Sequence, residues 1–304
     1  MPTPDVVSRG QLFDPVLVTD LINKVKGKSA IAQLSTSKPI PFNGMKEFTF
    51  SMDSEVDLVA ENGAKSRGAL ALAPRTIMPL KVEYGARISD EFIYASEEAR
   101  IDILKSFNEG FAKKVARGLD IMAFHGVNPR TGSASTLIGT NCFDGAVTTN
   151  VVTADDDTDA NAQVEAAIAL IQGGEFDVTG MAMAPAFRSA LAAIVKTDGN
   201  PMFPELKWGA EPGTINGLPV QNNSTVSFGG SDDLAILGDF ESNFKWGYSK
   251  SIGTEIIRYG DPDNSGRDLK GYNQIYIRAE MYLGWAVFDP LAFAIIKADD
   301  DDGT

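Results

Sequence analysis

The sequence predicts an α+β fold in which one very long helix lies against a mixed sheet. Three patterns indicate this fold: apolar and polar residues alternate strictly over 80–88, an apolar residue recurs at every fourth position over 107–119, and helical and strand patterns alternate after residue 150. Hydrophobic residues make up 43% of the 304 residues and charged residues 22%, a composition that is typical of globular proteins and excludes a wholly disordered chain.

The N-terminal part of the chain is predicted to bury little of its own surface. Residues 1–41 resemble an arm, and the stretch between the predicted strands at 46–52 and 80–88 reads as a long two-stranded excursion that projects from the body. The first of these strands places three apolar side chains on one face: Phe48, Phe50 and Met52. Ordering an arm and a loop costs conformational entropy, so we expect other copies of the chain to cover them.

The strongest helical signal covers residues 97–125. Ser96 and the two glutamates after it are typical of a helix start, and Gly126 is typical of a helix end. The apolar stripe of this helix is predicted to consist of Ile101, Leu104, Phe107, Phe111, Val115, Leu119 and Met122. A helix of about 28 residues is roughly 42 Å long, so a single apolar stripe on it requires a broad sheet beneath.

The second half of the chain alternates helices and strands without a visible repeat. Helices are predicted at 162–172 and 185–197, and the segments 198–205 and 215–224 are rich in turn-forming residues. Strands are predicted at 181–184, 234–240, 254–259, 273–287 and 291–298. The chain is expected to end in an acidic tail.

The net charge of −14 lies entirely in the second half of the chain. Residues 1–150 hold 17 basic and 17 acidic side chains, whereas residues 151–304 hold 10 and 24. This balance has the wrong sign for binding DNA or an anionic membrane through basic patches. The acidic half either keeps the protein soluble or repels a polyanion. The longest apolar run, 283–296, is interrupted by Asp289 and Pro290, and no signal peptide is expected.

Conventional catalysis has little support in the sequence. His125 is the only histidine and Cys142 the only cysteine, so a zinc site and an internal disulfide are not expected. The segment DPDNSG at 261–266 resembles the start of a calcium loop, but its twelfth position is Tyr272 where such a loop has glutamate. We therefore expect no cofactor and no metal.

The order of these elements resembles the Hong Kong 97 fold of the major capsid proteins of tailed bacteriophages. Two segments carry the resemblance most specifically. The first is APAFRSALAAIVKTDGNPMFPE followed by INGLPVQNNS, which is similar to the family's axial-domain segment ending in a Gly-x-Pro-Val strand. The second is YNQIYIRAEMYLGWAVFDPLAFAIIKA, which is similar to the family's C-terminal strands with their Pro-x-Ala-Phe ending.

The resemblance implies a division of the chain into five parts. They are an N-terminal arm over 1–41, an extended β-hairpin loop over 42–86, a peripheral domain with a spine helix over 87–134, an axial α+β domain over 135–250, and returning strands with an acidic tail over 251–304. Apolar side chains of the loop would then pack on neighbouring copies. Those side chains are Leu58, Val59, Leu70 and Leu72.

The same resemblance implies a structural function and its partners. The chain would be the subunit of an icosahedral phage head that encloses double-stranded DNA without recognising it specifically. Its partners would be other copies in hexamers and pentamers, a portal, and a separate scaffolding protein, since Met1 leads almost directly into the arm. It would be made in the bacterial cytoplasm, end in the virion and contact no membrane. Two alternatives are the shell protein of an encapsulin nanocompartment and an acidic cytoplasmic hydrolase that uses carboxylates.

In some members of this family, isopeptide bonds cross-link the subunits of the shell. Each bond joins a loop lysine to an asparagine, and a glutamate assists the reaction. The resemblance places these roles on Lys65, the only lysine between Lys46 and Lys81, and on Asn273 and Glu280. The alternative interpretation gives each residue a structural role. Asn273 would then cap a turn, Glu280 would pair with a basic residue of another strand, and Lys65 would be a solvated charge.

Overall fold

The computed structural model describes residues 29–52, 55–91, 97–154, 158–249 and 253–299. Most of the predicted arm, the predicted helix start at Ser96 and the acidic tail lie outside the described residues. Within these ranges, none of the helices is long and apolar enough to cross a membrane.

The first described elements are a short helix and a two-stranded hairpin. Helix α1 (Ala30–Leu34) begins after Ser29, whose hydroxyl accepts the backbone N–H of Ala32. Strands β1 (Met45–Met52) and β2 (Leu70–Ile77) pair antiparallel along their whole length. The strand predicted at 46–52 is therefore present, and its partner β2 lies within the predicted excursion.

A second sheet is built around the longest strand of the described residues. Strand β3 (Leu80–Ser89) pairs antiparallel with β11 (Gln274–Val287), as the strict alternation over 80–88 predicts. Strand β10 (Gly253–Ile257) also pairs with β11, and β9 (Phe244–Tyr248) pairs with the C-terminal end of β11. Strand β11 thus joins residues from three distant parts of the sequence.

The long helix is present as predicted. Helix α2 spans Glu97–His125, and its stripe packs into the main hydrophobic core together with β11, except that Leu104 lies in a small core with Ile275 and Ile277 and that the side chain of Ile101 lies outside the described ones. The buried stripe residues are Leu104, Phe111, Val115, Leu119 and Met122, while Phe107 is partly buried. Lys113, Lys114 and Arg117 point to solvent, in agreement with the helix face assigned from the sequence.

The rest of the chain forms a six-stranded mixed sheet with helices on it. The helices are α3 (Phe143–Ala146), α4 (Ala160–Gly173) and α5 (Pro185–Ala193). The strands are β4 (Val151–Ala154), β5 (Gly180–Met183), β6 (Thr214–Ile215), β7 (Leu218–Asn222), β8 (Asp233–Gly238) and β12 (Phe293–Ala298). Their order is β4-β12-β8-β5-β7-β6, with β12 parallel to β4 and β5 parallel to β7. The fold is α+β, as the sequence predicts.

Hydrophobic cores lie on both faces of this six-stranded sheet. Alternate residues of β8 and β12 belong to different cores: Ile236 and Ile295 face α2, whereas Leu237 and Ile296 face α4 and α5. This alternation follows from the period of two along a strand. The sheet is therefore covered on both sides, and its edge strands are β4 and β6.

Three local predictions are wrong. The helix predicted to run to residue 197 ends at Ala193, because Ile194 adopts an extended backbone and a bridge forms between Val195 and Pro201. The turn-rich pattern of 215–224 missed strands β6 and β7, although the resemblance had implied a Gly-x-Pro-Val strand there, and Gly217 with its positive φ makes the tight turn between the two strands. The strand predicted from residue 291 begins at Phe293, because Leu291 and Ala292 belong to a 3₁₀ turn that starts at Pro290.

Candidate assembly surfaces and cross-link residues

One face of the β1–β2 hairpin is apolar and uncovered. The register pairs Phe48 with Pro74, Phe50 with Leu72, and Met52 with Leu70, so all these side chains lie on the same face. Each of the five large residues among them is more than half exposed: Phe48, Phe50, Met52, Leu70 and Leu72. A contiguous apolar face of this kind on a water-exposed hairpin marks an interaction surface.

The hairpin is held to the body at its base. Ile77, at the end of β2, is fully buried in a small core with Ile40, Ala286 and Phe288. Glu47 on β1 forms an ion pair with Lys245 on β9. Fixing the base without covering the outer part leaves the apolar face available to another molecule.

The segment that joins β1 to β2 is exposed at every described position. Leu58 is 99% exposed and Val56 96%, and a turn at Ala60–Gly63 carries Asn62 in the left-handed region. Lys65 follows this turn and is also exposed. The predicted loop nucleophile therefore lies beyond the turn, away from the hairpin base.

Asn273 and Glu280 lie in different local environments. Asn273 is exposed, has a φ of 53° and ends a 3₁₀ turn by donating its backbone N–H to the carbonyl oxygen of Lys270. Glu280 lies within β11, where its Oε1 is 2.8 Å from Nζ of Lys81 and 3.0 Å from Nε of Arg278. The hydrogen bond that Lys81 donates to Glu280 raises the pKa of Lys81.

Asp120 is a buried carboxylate that the sequence reasoning missed. It lies on α2 and accepts hydrogen bonds from the end of the arm and from the segment after β7. The donors are the hydroxyl of Ser29, the backbone N–H groups of Ala30 (2.9 Å) and Ile31 (3.3 Å), Nδ2 of Asn223 (3.0 Å) and Oγ1 of Thr225 (3.1 Å). Burial raises the pKa of Asp120 to about 6, although these hydrogen bonds act in the opposite direction.

A second buried polar cluster lies at the C-terminal end of α2. Nε2 of His125 is 2.9 Å from the carbonyl oxygen of Thr225, and Nδ1 is 2.8 Å from Asp144 and 3.4 Å from Asp233. Burial lowers the pKa of His125, but the hydrogen bond with Asp144 and the nearby carboxylates raise it overall. Burial and the neighbouring Asp144 raise the pKa of Asp233 to about 6.

The charges of this cluster decide between an ion-pair network and a metal site. His125, Asp144 and Asp233 each offer a ligand atom, and these atoms lie within 4.8 Å of one another. Nζ of Lys297, however, lies 3.2 Å from Asp233. A protonated His125 and Lys297 balance the two carboxylates, whereas a divalent cation would add positive charge. The geometry therefore favours an ion-pair network that ties α2 to the sheet.

The lone cysteine does not pair with the lone histidine. Sγ of Cys142 accepts the backbone N–H of Gly145 and caps α3, while the ring nitrogens of His125 contact Asp144, Asp233 and Thr225. Burial raises the pKa of the Cys142 thiol, which makes it a poorer nucleophile.

The loop that resembles a calcium site is closed by a guanidinium group. Nη2 of Arg87, on β3, lies 2.6 Å from Asp261 and 2.5 Å from Asp263, and it also donates to the carbonyl oxygen of Arg267. The hydrogen bond from Arg87 lowers the pKa of Asp263. Arg87 thus supplies the positive charge that these two carboxylates need.

The chain matches one protein family over nearly its whole length. The family model described as the phage capsid family matches residues 10–298. No curated protein matches the chain.

Solved structures with the same architecture come from phages and from a GTA particle. A chain of Mycobacterium phage Ogopogo is 29% identical with a TM-score of 0.77, covering 90% of this chain and 92% of its own. A chain of Gordonia phage Cozz is 24% identical with a TM-score of 0.73, covering 90% and 87%. The capsid of an empty GTA particle, computed with C5 symmetry, is 17% identical with a TM-score of 0.62, covering 98% and 95%.

Proposed function

The chain belongs to the phage capsid family and is a major capsid shell protein, and from that premise we propose that its copies interlock through the β1–β2 hairpin into an icosahedral head around double-stranded DNA. The observation that carries this proposal is the uncovered apolar face of the hairpin. The encapsulin and hydrolase alternatives are not favoured, because the family match and the similar structures are phage-type capsids.

The apolar face requires a partner of the same chemistry. Burying one Phe or Leu side chain stabilises an assembly by about 1.5–3 kcal/mol, and the face offers Phe48, Phe50, Met52, Leu70 and Leu72. The described part of the chain does not cover them, so cover from an adjacent copy explains why these residues are apolar. Leu58 and Val59 are two further exposed apolar side chains on the loop.

The proposal is tested by placing a charge on each face of the hairpin in turn. Phe50→Glu puts a carboxylate on the apolar face, whereas Ala73→Glu puts one on the opposite, also exposed, face of β2. We expect both variants to fold, because neither position contributes to a core. Phe50→Glu should abolish shells in negative-stain images, and Ala73→Glu should retain them. Shells formed by both variants would show that the hairpin face is not the contact.

The acidic second half supports a further proposal about the enclosed DNA. Residues 151–304 hold 24 acidic and 10 basic side chains, so a surface from this half facing inward would repel phosphates and let the genome pack without sticking. Purified subunits should therefore show no tight binding to duplex DNA at physiological salt. Tight, salt-sensitive binding would contradict this arrangement.

The remaining partners follow from family membership alone. A portal, a scaffolding protein and assembly through hexamers and pentamers are proposals of this kind, as is synthesis in the bacterial cytoplasm. For Lys65, Asn273 and Glu280, the contacts within the subunit support structural roles over a covalent one, since Glu280 already has Lys81 and Arg278 as partners.

A further inference from the structure

A fully exposed tryptophan stands out at the far end of the six-stranded sheet. Trp208 is fully exposed, whereas the other two tryptophans, Trp246 and Trp285, are 2% and 1% exposed. Its φ of 59° places it in the left-handed region, which is unfavourable for a residue with a side chain. Exposure and backbone strain both oppose a tryptophan at this position in an isolated subunit.

The turn that carries Trp208 is built rigidly. Phe203 and Leu206 are buried in the core under α5. Nη2 of Arg188, on α5, donates to the carbonyl oxygens of Leu206 (2.7 Å) and Ala210 (2.8 Å), on either side of Trp208. The indole is thus presented to solvent on a pre-organised support, which lowers the entropy cost of a contact.

The opposite end of the same helical layer carries an uncovered surface. Helix α4 lies over β4, β12 and β8, α5 lies beside it, and the Trp208 turn lies beyond α5. The outward face of α4 exposes Leu170 together with small side chains, and Glu165 is its acidic residue at the centre. Lys207, next to Trp208, is half-buried and has the complementary charge.

We propose that Trp208 anchors a head-to-tail contact between copies of this chain, with its indole against Leu170 and with Lys207 facing Glu165 on α4 of the next copy. The inference rests on the proposed function, because it takes the partner to be a second copy in the shell. A contact between two different surfaces of the same domain repeats around a ring. Each copy therefore inserts its Trp208 into the contact with one neighbour and binds the Trp208 of the other neighbour on α4. Tryptophan is one of the residue types enriched among interface anchors.

Tryptophan fluorescence tests the anchor directly. Because Trp246 and Trp285 are buried, subtracting the emission of Trp208→Phe from that of the wild type isolates the emission of Trp208. Phenylalanine is chosen because it keeps an aromatic ring at the contact. In free subunits this emission should be strongly quenched by acrylamide. In assembled shells the quenching constant should fall severalfold and the emission should shift to shorter wavelength. Shells in which Trp208 stays as quenchable as in free subunits would overturn the proposal.

A pair of cysteines tests which surface receives the tryptophan. The native Cys142 is buried, so Lys207→Cys combined with Glu165→Cys introduces an exposed thiol at position 165 and a half-buried one at position 207, and leaves Trp208 in place. Mild oxidation of assembled particles should give covalent multimers larger than dimers. Shells of the double variant that form no multimers would overturn the assignment of the contact to α4. Dimers formed by Lys207→Cys alone would indicate a two-fold contact and would also overturn this assignment. A wild type that forms no shells would instead refute the proposed function.

Discussion

The carboxylate of Asp120 accepts the backbone N–H of Ala30 at 2.9 Å across 90 residues of sequence. This bond and its neighbours attach the first described turn of the chain to α2 near the C-terminal end of that helix. Ser29 and Ile31 donate to the same carboxylate. A residue in the long helix therefore fixes the position of Ser29 and of the first turn of α1.

Removing this carboxylate should destabilise the subunit strongly. Asp120→Ala leaves five donors without their acceptor in a fully buried place, so we expect a loss of about 3–5 kcal/mol in the free energy of unfolding. Asp159→Ala is the matched control, because Asp159 is exposed and accepts one N–H at the start of α4. The control should lose about 1 kcal/mol. Urea denaturation of free subunits measures both, and equal losses would contradict the anchoring role.

The stability that depends on Asp120 should fall as the pH rises. Its pKa is raised from 3.8 in the unfolded chain to about 6 in the folded one, so its contribution is fully present below pH 3.8 and is lost as the pH rises through about 6. Relative to Asp120→Asn, the wild type should lose about 3 kcal/mol over this range. Urea denaturation of both proteins between pH 4 and pH 7 measures the difference. If the wild type instead gained stability relative to Asp120→Asn as the pH rises, the five hydrogen bonds would lower the pKa of Asp120 by more than burial raises it.

Elements with a strong local period could be predicted from the sequence. The alternation over 80–88 gives β3, and the four-residue spacing from Phe107 to Leu119 gives α2 with the correct buried face. Both patterns arise because one face of each element packs against a core. Neighbouring residues therefore carry all the information needed to recognise them.

Elements that depend on distant partners could not be predicted in this way. Strand β9 has no alternating pattern, and it exists because Phe244–Tyr248 pairs with residues 283–287 of β11. The apolar face of β1 was predictable, but its residue-by-residue register with β2 was not. Trp208 offered no signal, because an isolated tryptophan usually suggests a core position.

Asp120 did carry a signal that the sequence reasoning overlooked. It lies four residues after Ala116 and three before Ala123, both of which are buried, so a charged residue interrupts the apolar face of α2. A carboxylate in such a position needs buried donors. The same reasoning applies to Asp233, which starts a strand whose residues are mostly buried.

The buried face of α2 makes a direct mutational prediction. Phe111 is 2% exposed and lies in the main core, whereas Lys114 on the same helix is exposed. Phe111→Asp places an unpaired charge in this core and should yield insoluble subunits. Lys114→Asp should leave solubility and the far-ultraviolet circular dichroism unchanged. Equal behaviour of the two variants would mean that the core does not depend on this face.

The candidate cross-link makes a prediction about mature particles. The bond would require the neutral amine of Lys65 to attack the side-chain carbonyl carbon of Asn273, with ammonia leaving and Glu280 taking the proton. Within the subunit, Glu280 is held by Lys81 and Arg278, which would have to withdraw before it could act as a base. We therefore expect boiled particles to run on SDS gels as a single band near 32.5 kDa.

The control for this experiment is the lysine at the base of the hairpin. Lys46 is also exposed and lies on β1, away from the loop turn. A ladder of multimers that is lost in Lys65→Ala but kept in Lys46→Ala would contradict the single-band expectation and establish the isopeptide bond. In that case Lys81→Ala should change the rate of ladder formation, because it removes a cation from Glu280 without touching either bonded residue.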